Sequence, residues 1–129
     1  MKYYSSKNLN GLSIEQAREK VIAALQTEGF GVLTEIDIQA TMKKKLNKDY
    51  LPHIILGACN PVMADKVLQV EPNISTMLPC NVTLRQLENR AIEISAIDPV
   101  AAMSAVDNDK VAPVAAEVQQ KLKRVLEAL

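Results

Sequence analysis

Two cysteine–asparagine pairs are the residues of this chain best suited to chemistry. One is Cys59-Asn60, inside Gly57-Ala58-Cys59-Asn60-Pro61; the other is Cys80-Asn81, inside Leu78-Pro79-Cys80-Asn81-Val82. The first pair falls where a predicted strand gives way to a predicted helix. Peptide N–H groups and the helix dipole favour an anion at that end, so a thiol there ionises more readily. Gly57 and Ala58 leave room for close approach of a ligand or another backbone. The competing reading of Cys59 is a small buried side chain beside a tight turn. Cys80 falls on the core face of its strand, which favours a structural role. Asp98, followed by Pro99, has the chemistry of a helix cap. Pro61 and Asn81 complete the candidate ligand-binding set of Cys59, Asn60, Pro61, Cys80, Asn81 and Asp98.

Other residue types point to weaker chemistry. Glu35 and Asp37 share a strand face in the manner of an acid–base pair, and a solvated face explains the same alternation. His53 stands at a strand start, the place of an ordinary hydrogen-bonded surface histidine. Lys43-Lys44-Lys45 reads as a solvated charge run. Met63, Met77 and Met103, with the two thiols, are soft donors suited to Cu(I), although core filling also uses methionine. A single histidine excludes the two- and three-histidine metal sites of many hydrolases. No Walker loop, dinucleotide fingerprint, Gly-x-Ser-x-Gly elbow or His-Glu-x-x-His is present. No cofactor is indicated. Metal ligands are expected only if Cys59 and Cys80 form a soft-metal site.

The elements that must position these residues follow from periodicity. A helix is predicted from Ser13 to Glu28, with Ser13 and Gln16 as a capping box and Ile14, Ala17, Val21, Ala24 and Leu25 as one apolar stripe. Gly31 to Gln39 alternates as a strand, with Val32, Thr34, Ile36 and Ile38 on one face and Leu33, Glu35, Asp37 and Gln39 on the other. Ala40 to Asn47 is short and helical or irregular. His53 to Ala58 is an apolar strand, and Pro61 suits the first turn of a helix running to Val70. Leu78 to Arg85 and Ala91 to Ile97 are strands with even-numbered core faces. A short strand at Lys2 to Ser5 precedes them all. A short helical stretch begins at Asp98-Pro99, and the strongest helix follows, with Val111, Val114, Ala115, Val118, Leu122, Val125, Leu126 and Leu129 as a continuous apolar stripe and Pro113 in its first turn.

The last two strands form a hairpin, and pattern restricts its register. A three-residue loop containing Asn89, a residue that tolerates left-handed geometry, sets Leu84 against Ile92 or Ile94. Cys80 then lies opposite Ala96 or Asp98. The distance from Cys59 to Cys80 depends on strand direction. A simple parallel crossover puts them at opposite ends of the sheet; a return of the chain through Glu71 to Met77 brings them together.

Composition bounds the rest. The chain has 129 residues, the size of one domain, with 48% hydrophobic and 23% charged residues. Fifteen basic residues offset fifteen acidic ones, so no global field attracts nucleic acid or an acidic membrane. No Trp, one Phe and three Tyr supply few stacking platforms for single-stranded nucleic acid. Two cysteines are too few for a disulfide scaffold, and the first residues show no secretory h-region. Free thiols in the cytoplasm are the expectation.

Four blocks in order resemble the domain of unknown function 302 family: Phe30 to Asp37, Ile55 to Pro61, Leu78 to Val82, and Ala96 to Pro99. The resemblance spans nearly the whole chain and implies a small bacterial or archaeal α+β domain that forms a homodimer. It implies a site at Cys59, Asn60, Pro61, Cys80, Asn81, Asp98 and Pro99 and assigns that site no role. The expected architecture is an α+β two-layer sandwich over residues 1–129, with a mixed or antiparallel sheet of about five strands and helices on one face. The functional expectation is a small-ligand-binding module with its site near the Gly-Ala-Cys-Asn-Pro turn. The alternatives are a thiol-dependent redox enzyme or soft-metal-binding protein using Cys59 and Cys80, and a structural homodimer.

Overall fold

In the computed structural model, which describes residues 2–129, five strands form one antiparallel sheet: β1 (Tyr4–Leu9), β2 (Gly31–Asp37), β3 (His53–Cys59), β4 (Cys80–Gln86) and β5 (Ile92–Ile97). Their order is β1-β5-β4-β3-β2, with every neighbouring pair antiparallel. The edge strand β1 runs further than the Lys2 to Ser5 segment expected of it. The connection between β3 and β4 decides the position of the thiols. Helix α3 (Pro61–Val70) leads away from the end of β3, and a 3-10 turn over Pro72–Met77 carries the chain back. The end of β3 and the start of β4 are therefore neighbours, with Ala58 opposite Cys80.

The β4–β5 hairpin closes through three residues, Glu88-Asn89-Arg90, flanked by a Leu87 N–H to Ala91 carbonyl bond of 2.8 Å. Leu84 faces Ile94, one of the two registers that the pattern allows. The left-handed residue is Arg90 (φ 70°), not Asn89. Asn89 serves the turn differently, its side-chain oxygen accepting from the Ala91 N–H at 3.0 Å.

Strand β2 departs from its predicted alternation. A bulge falls between Val32 and Thr34, which pair with Ala58 and Gly57 respectively. The extra residue reverses the faces beyond it. Val32, Glu35 and Asp37 share the helix-covered side, whereas Thr34 and Ile36 turn to the opposite one. Glu35 there meets Arg18 of the first helix at 2.6 Å, a solvated pair of little energetic weight. The strand also ends two residues early. The Asp37 carboxylate accepts from the Ala40 N–H and caps helix α2 (Ile38–Leu46), so Ile38 and Gln39 belong to that helix.

Helix α1 (Ile14–Thr27) carries the expected capping box, with Ser13 and Gln16 bonded reciprocally. With α5 (Val111–Glu127) it covers one face of the sheet. Val21, Leu25, Leu56, Val82, Leu84, Ile92, Ile94 and Val125 bury almost completely between these layers. A second, smaller cluster joins Val67, Ile74, Met103, Val111 and Ala115 beneath α3, α5 and the short helix α4 (Pro99–Ala102). The face of the sheet turned away from α1 and α5 presents Asn81, Thr83, Ser95 and an Arg85–Glu93 ion pair of 2.9 Å. No described helix is long and apolar enough to cross a membrane.

Candidate functional site

A partly enclosed cavity of about 280 Å³ lies between the two core clusters, where α3 and α5 meet the β3–β4 end of the sheet. Met63, Ala64 and Val67 of α3 form one wall. Val114, Ala115 and Val118 of α5 form the opposite wall, and Met103 and Pro99 close the end below α4. Phe30 and the β2 bulge residue Leu33 border it near the edge of the sheet, and Leu33 is 68% exposed there. The floor is Ala58-Cys59-Asn60 and Leu78-Pro79-Cys80. Among the described residues the lining is apolar apart from Asn60 and the two thiols.

Three of the six candidate residues meet in this cavity: Cys59, Asn60 and Cys80. Both cysteines are free and partly buried. Burial, followed by the nearby Cys59 charge, pushes the Cys80 thiol up from an ordinary value of 9.0 to about 11. At neutral pH Cys80 is thus held as the thiol. Asn60 is buried and its amide is already committed: Oδ1 accepts from the Met63 N–H at 3.3 Å, capping α3, and Nδ2 donates to the Glu28 carbonyl at 3.0 Å. The second bond ties α3 to the end of α1. A side chain on Gly29 (φ +83°) would crowd Nδ2 at 3.0 Å, so the glycine keeps that approach open.

The other three candidates lie elsewhere. Pro61 is exposed in the first turn of α3. Asn81 is exposed on the face of the sheet turned away from α1 and α5, bordering a wide hollow with His53, Thr83 and Arg85. Asp98 is near Cys80 along the strand, two residues beyond the Val82–Ala96 pair, but its carboxylate does not face the cavity. It accepts from the Val100 and Ala101 N–H groups, capping α4, and from Gln119 Nε2 at 3.0 Å to each oxygen. Pro99, beside it, does line the cavity.

The cavity also holds residues that sequence reasoning assigned to the core. Val114, Ala115 and Val118 belong to the apolar stripe of α5. Gly57 shows why the strand end is so tight: a Cβ there would fall 2.1 Å from Thr34 Oγ1 and 2.7 Å from Pro79 Cγ. His53, on the same face as Asn81, is lowered from its ordinary range by burial and by Arg85, with Glu93 opposing. Glu35 and Asp37 are occupied by Arg18 and by the cap of α2, respectively.

The sequence profile of the family described as "Domain of unknown function DUF302" matches residues 5–129. The chain belongs to the DUF302 family. Among solved structures, the crystal structure of an uncharacterized conserved DUF302 protein from Bacillus stearothermophilus is similar, with a TM-score of 0.91 and 23% identity. The match covers 99% of this chain and 98% of that one, and shows the shared DUF302 fold. No curated protein matches the chain.

Proposed function

We propose that this DUF302 protein binds a small, largely apolar molecule in the cavity between α3, α5 and the β3–β4 end of the sheet. The observation that carries this reading is the lining: seventeen residues, of which only Asn60 and the two cysteines are polar or thiol-bearing. A dry aliphatic and aromatic cavity of about 150 Å³ holds benzene, and sites for larger ligands begin near 300 Å³. The space of about 280 Å³ fits a bicyclic aromatic or a short branched chain. The Asn60 amide gives one donor and one acceptor to backbone groups, and the rest of the lining recognises a ligand by shape and by contacts with sulfur. Asp98, grouped with this site on sequence grounds, lies outside it and contributes by anchoring α4 to α5.

Xenon pressurisation of crystals and calorimetric titration with naphthalene test the reading. Xenon density between Met63 and Ala115, together with saturable naphthalene binding, is the expected result. Absence of both defeats it.

A further inference from the structure

We propose that the cavity takes a single-chain amphiphile tail-first, with an alkyl tail of about eight to ten carbons inside and the polar head in solvent beside Leu33. This names a ligand class for the binding reading above and rests on it.

Three observations carry the inference. The first is that the lining has no place for a polar head. Apart from the two thiols its one polar side chain is Asn60, which already bonds the Met63 N–H and the Glu28 carbonyl. Among the described residues no Lys, Arg, His, Asp or Glu borders the space. A hydroxyl carried inside would lose its water without regaining partners, and a carboxylate would lose far more. The Cys80 thiol responds as on a dry surface, where burial holds the proton on. The second observation is size. A dry cavity of about 150 Å³ holds the six carbons of benzene, so a space of about 280 Å³ takes about eleven at most. The third is the opening. Of the described lining residues Leu33 alone is exposed, at 68%, and the others are buried or half-buried. Leu33 sits in the β2 bulge, and a bulge re-aims a side chain and leaves its residue outside the ladder. A large apolar side chain on a wet edge gains little by itself. Beside an emerging tail it covers the last methylenes, while the unladdered backbone offers hydrogen bonds to the head.

Calorimetric titration of the full chain with hexanoate, octanoate, decanoate and dodecanoate, and with 1-octanol, tests the class at pH 8. Affinity should rise about fourfold per added CH2 up to about ten carbons and flatten beyond. Octanoate should bind within about fivefold of octanol, because an exposed charge interacts weakly. A buried head would separate the two by more than about a hundredfold. Leu33→Arg and Leu33→Glu change an exposed position that tolerates either side chain. They should strengthen and weaken octanoate, respectively, by about two- to fivefold relative to octanol. Affinity indifferent to chain length, exclusion of octanoate while octanol binds, or equal octanoate affinity in the two Leu33 variants would each overturn the assignment. Naphthalene separates this inference from the reading beneath it. If naphthalene binds and the alkyl chains do not, the amphiphile alone falls; if neither binds, the cavity reading falls with it.

Discussion

Enlarging Ala115 should stabilise the protein while abolishing ligand binding, a combination that ordinary core positions do not give. Ala115 is 4% exposed on α5 and lines the cavity; Ala17, on α1, is fully buried in the main core and does not. Ala115→Leu adds three carbons, worth about 2 kcal/mol if they enter empty space, and ordering the longer side chain takes back about 0.5–1 kcal/mol. The net gain of about 1 kcal/mol corresponds to a rise of roughly 3–6 °C in Tm for a chain of this size. Ala17→Leu adds the same carbons where no space exists, and should cost about 1–3 kcal/mol. The chain has no tryptophan, so urea melts should be followed by far-ultraviolet circular dichroism. Naphthalene titration of the folded Ala115→Leu protein completes the assay, with affinity expected to fall below detection. If both variants are destabilised alike, the cavity is not a void that a side chain can fill. If Ala115→Leu is stabilised and still binds naphthalene unchanged, the ligand sits elsewhere.

Three further expectations follow from individual contacts. Gly57→Ala pushes a methyl group against Thr34 Oγ1 and the rigid Pro79 ring. It should cost about 1–3 kcal/mol, with part of that recovered in a Gly57→Ala/Thr34→Ala double variant; additive losses in urea melts would show that the two side chains do not collide. Asn60→Ala removes the α3 cap and leaves the Glu28 carbonyl without its donor, so a loss of about 2–3 kcal/mol is expected; a loss below about 0.5 kcal/mol would contradict the buried tie. The folded state keeps the Cys80 proton up to about pH 11, whereas the unfolded chain releases it near 9.0. Between those values the unfolded state binds fewer protons, so stability falls as pH rises, by at most about 3 kcal/mol. Urea melts at pH 8 and pH 10.5 should show a steeper decline for the native protein than for Cys80→Ala. Equal slopes would refute the assignment.

Much of the architecture was legible because local signals agreed with one another. The Ser13–Gln16 capping box placed α1, and matched even-numbered core faces on β4 and β5 fixed the hairpin parity. The β2 bulge was not legible. Val32, Thr34 and Ile36 form an unbroken alternation in sequence, and the shift arises only in pairing with β3, where Val32 meets Ala58 and Thr34 meets Gly57. Arg90 taking the left-handed position of the loop is a similar case. Asn89 has the better intrinsic tolerance, but its side chain is used to hold the Ala91 N–H, which leaves the positive φ to its neighbour.

The site was legible in a skewed way, and the skew bears on what the protein can do. Two of the polar candidates, Asn60 and Asp98, spend polar atoms on helix ends: one ties α3 to α1, the other ties α4 to α5. Those bonds fix the starts of α3 and α4, two of the elements that border the cavity. Residues that bound the space, such as Val67, Ala115 and Val118, looked like ordinary core because a void between three packed elements leaves no periodic trace in any one of them. The polar atoms therefore act on a ligand through geometry and the apolar ones through contact. Only the two thiols combine contact with reactivity. A change at Asn60 or Asp98 should consequently alter affinity and stability together, whereas a change at Cys59 should alter affinity for a soft ligand and leave stability almost untouched.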